Sequence, residues 1–103
     1  MEIKIINNCG IVHDKMTSKF YGVRYDKTRG FWRTDIRVGG NNIYLGAYKD
    51  EIHAAYAFNV GFGCFSNSNY TIYNKVDLST DDSKDISNKV ISLLIKKGYY
   101  KLI

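Results

Sequence analysis

The chain has 103 residues, enough for one domain with one hydrophobic core, which excludes a separate catalytic domain beside it. No apolar run reaches the roughly 18 residues of a membrane span, and residues 1–10 lack the pattern of a secretory signal, so we expect a soluble intracellular protein. The net charge of +5 lies within residues 19–49, which carry seven basic and two acidic side chains, whereas the rest of the chain carries eight of each.

Four β-prone segments precede the first helical pattern. The N-terminal residues 2–6 alternate polar and apolar side chains and favour a short strand, and residues 7–10 have turn composition. Further strands are predicted over residues 20–25, 31–38 and 43–48, with turns at 26–30 and 39–42. Such short connections imply an antiparallel meander.

The spacing of apolar residues changes after Lys49. Asp50 is a suitable N-cap, and apolar residues then recur at spacings of three and four, which predicts a helix over residues 51–63. Ala54 and Ala55 are small enough to let this helix lie close to the strands. The expected facing layer of the sheet is Val23, Trp32, Ile36 and Leu45.

A second helix is predicted over residues 80–97. Ser79 followed by Asp82 resembles a capping box, and Gly98 is suited to the left-handed position after the last turn. Its apolar residues are Ile86, Val90, Ile91, Leu93, Leu94 and Ile95, a stripe that packs either on the domain or on another protomer. The sequence thus predicts one α+β domain over residues 1–103. It consists of a three-stranded antiparallel sheet packed on one α-helix, a C-terminal helix at 79–98 and a short N-terminal strand.

The face of the sheet opposite the helix is predicted to be exposed and basic. It would present Phe31, Arg33, Asp35 and Arg37 from the second strand of the meander, Gly22, Arg24 and Asp26 from the first, and Asn42 and Tyr44 from the third. Such a surface can enter the major groove, where the planar fork of arginine binds guanine or phosphate bidentately. A second interpretation stays open, because cross-strand Arg–Asp pairs can simply solubilise the open face of a sheet.

Residues 19–65 contain several short motifs in a specific order. These are Gly22-Val23-Arg24, Gly30 with Trp32 following, Ile36-Arg37, Leu45-Gly46 with Tyr48, and Ala54-Ala55 with Phe58. In this order the segment resembles the Apetala-two/ethylene-response-factor domain, most of all the forms found in phage and viral homing endonucleases. The resemblance implies a three-stranded sheet packed on a helix, which reads the DNA major groove through the sheet.

The resemblance also implies individual DNA contacts. These are Gly22 and Arg24 on the first strand of the meander, Arg37 on the second and Tyr44 on the third, with Asp35 in the place of a usual acid. Plant members of the family carry further arginines where this chain has Tyr21, Asp26 and Asn42, so their target sequence is not inherited. Phe31 stands where a lysine is common and the turn is one residue longer, which makes Lys27 and Arg29 the substitute phosphate contacts. These departures weaken sequence-specific recognition and keep RNA or a structural role open.

No catalytic residue, metal site or cofactor is expected. Cys9, His13, His53 and Cys64 are able to bind zinc, but they lack the paired short spacings of a structural site. We expect reduced thiols, with Cys64 filling core space and His53 on the solvent side of the first helix. Motifs for a serine nucleophile, a phosphate loop or a dinucleotide site do not occur.

The sequence therefore predicts a non-enzymatic protein that binds double-stranded DNA, as a transcription regulator or DNA-binding accessory protein. RNA is the other nucleic acid considered, and no membrane partner is expected. The alternative is a structural protein of a ribonucleoprotein particle or virion, and the C-terminal helix could support a homodimer. We expect the protein in the nucleus, another DNA-containing compartment or a virion. Abundant Asn, Lys, Ile and Tyr without proline are compatible with an AT-rich genome.

Overall fold

The computed structural model describes residues 9–10, 18–65 and 74–99. In chain order the elements are β1 (Cys9–Gly10), β2 (Val23–Asp26), β3 (Phe31–Val38), β4 (Asn41–Tyr48), α1 (Glu51–Phe65) and α2 (Thr80–Lys96). Strands β2, β3 and β4 form the predicted three-stranded antiparallel sheet, and α1 and α2 are the two predicted helices. The α+β fold class is therefore confirmed.

Strand β3 is the centre of the sheet. Along one edge, β2 pairs with residues 31–34 and β1 with residues 37–38, whereas β4 pairs with β3 along the other edge. Residues 9–10 were predicted as part of a turn, and this was wrong. Because β2 is short, the end of β3 has backbone groups on that edge that another strand can pair with, and β1 does so. The strand predicted over residues 2–6 lies outside the described residues.

The two hairpins are close to their predicted positions. Gly39 and Gly40 have φ angles of 59° and 86°, the two positive values that a two-residue turn between antiparallel strands requires. Asn41 and Asn42 were predicted in this turn, but they belong to β4 and pair with β3. In the first hairpin, the N–H of Gly30 donates to the carbonyl of Asp26 at 2.7 Å.

The hydrophobic core lies between the sheet and both helices. Val23, Ile36 and Leu45 are fully buried, as predicted, whereas Trp32 is only half-buried and packs its ring 4.9 Å from that of Tyr25. The buried residues of α1 are Ala54, Ala55, Ala57, Phe58, Gly61 and Phe62. This helix extends past Gly61 to Phe65 because close packing against the sheet outweighs the low helix propensity of glycine.

Helix α2 has the predicted ends and packs on its own domain. The Ser79 hydroxyl accepts the N–H of Asp82 at 3.0 Å, and the N–H groups of Gly98 and Tyr99 close the last turn on Ile95 and Leu94. Ile86, Val90 and Leu94 belong to the same core as the sheet and α1. Neither helix in the described part of the chain has the length and apolar character needed to cross a membrane.

A buried asparagine joins three parts of the chain. The Asn74 amide accepts the N–H of Tyr21 at 2.6 Å and donates to the carbonyls of Tyr21 at 3.1 Å and Ala55 at 3.2 Å. The side chain of Asn59 in turn bonds both backbone groups of Asn74. These bonds fix the backbone before β2, so β2 begins at Val23 rather than at residue 20 as predicted.

Candidate nucleic-acid interface

The sheet face opposite α1 collects the arginines of the basic segment. Residues of β3 alternate between the two faces, so Arg33 and Arg37 lie opposite the buried Ile36. The register places Arg24 beside Arg33 on the same face. On the other side of β3, Tyr44 lies beside Asp35. The predicted grouping of the three arginines on one face is therefore present.

Asp35 occupies the centre of this face. Its carboxylate accepts a hydrogen bond from Arg24 Nη2 at 3.2 Å and from Arg33 Nε at 3.2 Å. The Asp35 side chain is only 6% exposed, whereas those of Arg24 and Arg33 are 34% and 32% exposed. Asp35 is thus too buried for direct contact with a large partner, and its role is to orient two arginines through charge-assisted bonds.

Arg33 is held from two directions and retains donors. Its guanidinium lies 4.8 Å from the centroid of the Tyr44 ring, within cation–π distance. Asp35 binds only the Nε atom, and the two terminal nitrogens of Arg33 have no hydrogen-bond partner among residues 9–10, 18–65 and 74–99. Arg33 therefore presents two oriented donors at the open face.

A depression of about 280 Å³ surrounds this arginine. It is lined by Asp26, Arg29, Phe31, Arg33, Tyr44 and Ala47. If the side chains of β4 alternated regularly between the two faces after Tyr44, Tyr48 would lie in this lining and Ala47 in the core. A bulge at Leu45 changes the phase, because Thr34 pairs with Gly46 and the next residue, Asp35, pairs with Tyr44.

The hairpin between β2 and β3 carries the predicted phosphate-binding residues. Lys27 and Arg29 are exposed, and Arg29 is 70% exposed although its Nη1 lies 3.2 Å from Asp26 Oδ2. The backbone N–H of Arg29 lowers the pKa of Asp26, and the Arg29 guanidinium and the Thr28 N–H act in the same direction. Asp26 thus stays ionised and holds the turn that presents both cations.

Gly22 and Arg37, two further predicted contact residues, are less exposed than the hairpin cations. Gly22 is buried beneath the Phe58 ring, so the expectation that it lies on the DNA-facing surface is wrong; it is a packing residue. Arg37 is half-buried, and its Nε atom has no hydrogen-bond partner within the described residues. It lies opposite Asn42 on one side and Gly10 on the other.

No protein-family model matches this chain, and no curated protein matches it either. Support for a function therefore comes from the residues and geometry of the chain itself.

The other titratable residues do not converge on a reactive site within the described ranges. No group of three or more His, Cys, Asp or Glu side chains there could hold a metal ion. His53 is partly exposed, with Nε2 3.7 Å from Asp82 Oδ2, and Cys64 is a free thiol packed at the edge of the core. Burial raises the pKa of the Cys64 thiol. His13 and the side chain of Cys9 lie outside the described part of the chain.

Sequence reasoning missed two features of this region. The first is the apolar part of the depression, Ala47, which only the bulge brings to the open face; Gly46 inside a strand was the available signal. The second is Asn74, which positions the start of β2. Its partners are far away in the sequence, so no local pattern marks it.

Proposed function

We propose that the chain binds double-stranded DNA through the open face of its sheet, as a transcription regulator or DNA-binding accessory protein. The observation that carries the proposal is Arg33, which Asp35 and Tyr44 orient while neither of its terminal nitrogens is bonded to another described residue. A bidentate donor of this kind matches guanine O6 and N7 in the major groove. Holding the fork in place before binding reduces the entropy lost on contact.

The surroundings of Arg33 are consistent with a groove-binding surface. Small sheets enter the major groove with one face toward the bases, and cations at the rim bind phosphates. Lys27 and Arg29 lie on the hairpin at the end of the same face. The sequence resemblance to the Apetala-two/ethylene-response-factor domain supports the same proposed mode of binding.

Fluorescence anisotropy on duplex DNA over a salt series tests this function. We expect Arg33→Ala and Arg37→Ala each to weaken binding by about 1–3 kcal/mol, since each removes a contact to the duplex. Arg33→Lys should recover only part of the loss, because lysine keeps the charge but lacks the planar fork.

The matched control is Lys84→Ala, which removes one positive charge from the exposed side of α2. Affinity should change little in that variant. Equal losses for Lys84→Ala and Arg33→Ala would mean that only net charge matters, and the proposed interface would then be discarded.

A structural role in a ribonucleoprotein particle or virion is the second candidate. It is favoured by the cross-strand bond between Arg24 and Asp35, since such pairs also solubilise an open sheet face. Copurification in a stable particle, together with no duplex binding by the isolated chain, would select this function over the first.

A further inference from the structure

The depression around Arg33 has apolar walls next to oriented donors. Phe31 lies two residues before Arg33 on β3 and therefore on the same face, and Ala47 lies directly opposite Arg33 on β4. Both side chains are half-buried and line the depression with Tyr44. A surface that bound only phosphate would gain nothing from apolar walls at this point.

We propose that this depression recognises the 5-methyl group of a pyrimidine next to the guanine bound by Arg33. This inference rests on the DNA binding proposed above and adds the chemical group that is read. The 5-methyl group of thymine is the apolar group that a base pair displays in the major groove, and phenylalanine and alanine are suitable contacts for it. The preferred step is thus a 5-methylpyrimidine beside guanine, with thymine or 5-methylcytosine in the first position.

The charges of the depression favour a base edge within a duplex as its occupant. Arg29 and Arg33 are balanced by Asp26 in the lining and by the buried Asp35 that binds Arg33, so the depression suits a neutral base edge better than a phosphate group. The Arg33 guanidinium lies over the Tyr44 ring and is held by Asp35, which leaves the apolar walls beside the donors. One methyl group and one guanine edge can then be in contact at the same time.

The test removes the methyl group without changing base pairing. A duplex selected from a random pool is synthesised with either thymidine or deoxyuridine at the one position beside the bound guanine, and the affinity of the whole chain for both forms is measured by anisotropy. We expect deoxyuridine to weaken binding about fourfold, the effect of one buried methyl group. Where the pyrimidine beside the bound guanine is cytosine, its replacement by 5-methylcytosine should strengthen binding by a similar factor.

Variants connect this preference to the depression. Phe31→Ala should bring the ratio of the thymidine and deoxyuridine affinities close to one. Ala47→Ser changes the polarity of the wall with little change in size and should also reduce this ratio. It provides the test if Phe31→Ala does not fold. Ile52→Ala, on an exposed position of α1, should leave the ratio unchanged.

Equal affinity of the unaltered protein for both duplex forms would overturn methyl recognition and leave DNA binding intact. A methyl preference that persists in both Phe31→Ala and Ala47→Ser would also overturn it. Absence of binding to either duplex form would overturn the proposed function itself, and this inference with it.

Discussion

Gly22 is the residue at which backbone conformation and packing together limit the side chain most strongly. Its φ angle is 71°, and a Cβ atom built on it would lie 2.2 Å from Cδ1 of Phe58. The carbonyl of Gly22 also accepts the N–H of Asp35 at 3.3 Å. Glycine here lets the start of β2 lie directly on α1 while its backbone stays paired with β3.

Replacing Gly22 with alanine should lower the free energy of unfolding by about 2–4 kcal/mol. The loss combines the cost of a left-handed conformation with overpacking against the Phe58 ring. Urea denaturation measures it. The control is Gly39→Ala, where φ is 59° but a Cβ would meet none of the described residues within 4 Å, so only the conformational cost of about 1–2 kcal/mol is expected. Equal losses would contradict the packing explanation.

Among the elements, β4 shows where prediction from the sequence stops. The bounds of α2 follow from local signals, the Ser79 cap and Gly98, and were predicted within one residue. The bulge of β4 is instead accompanied by a hydrogen bond within the strand, in which the buried Tyr48 hydroxyl donates to the carbonyl of Leu45, three residues earlier, at 2.9 Å. Alternation cannot show that bond, so the sequence predicted Arg33 on the open face but not Ala47 beside it.

The setting of Tyr48 also makes the bulge sensitive to alkaline pH. Burial raises the pKa of Tyr48 well above its ordinary value of 10.0, with Tyr44 acting in the same direction. Because the unfolded chain releases this proton at lower pH than the folded one, the stability it provides is complete below about pH 10 and decreases above it.

As the pH is raised from 9 to about 11.5, the free energy of unfolding should therefore decrease less in Tyr48→Phe than in the unaltered protein. At neutral pH the same variant should be less stable by about 1 kcal/mol, since the carbonyl of Leu45 loses its partner. Urea denaturation across this pH range measures both effects. Tyr21→Phe, at an exposed tyrosine, should keep the full alkaline decrease. A decrease of the same size in Tyr48→Phe would rule out Tyr48 as its source.

For the molecule as a whole, Asn74 connects the segment before β2 with α1. Its amide bonds three backbone groups in the segment before β2 and in α1. Hydrophobic patterning predicted the sheet, both helices and most of the core, because those features repeat along the chain. A single buried amide has no such repeat, so this link became visible only in the structure.

Asn74→Ala should lower the free energy of unfolding by about 2–4 kcal/mol, because three backbone groups lose their partner in a buried site. Asn88→Ala, at an exposed position of α2, should change it by less than about 0.5 kcal/mol. Thermal or urea unfolding checks both. A similar small effect for the two variants would show that packing alone holds the segment before β2.

The position of Asp35 has a consequence for the strength of long-range attraction. This carboxylate gives the arginine face an internal counterion, so Arg24 and Arg33 are partly neutralised before any partner arrives. Fewer dissolved cations would then be displaced from a duplex than the number of arginines suggests. In the proposed DNA complex this face would discriminate between base edges at short range, while the exposed cations of the hairpin would add attraction at a distance.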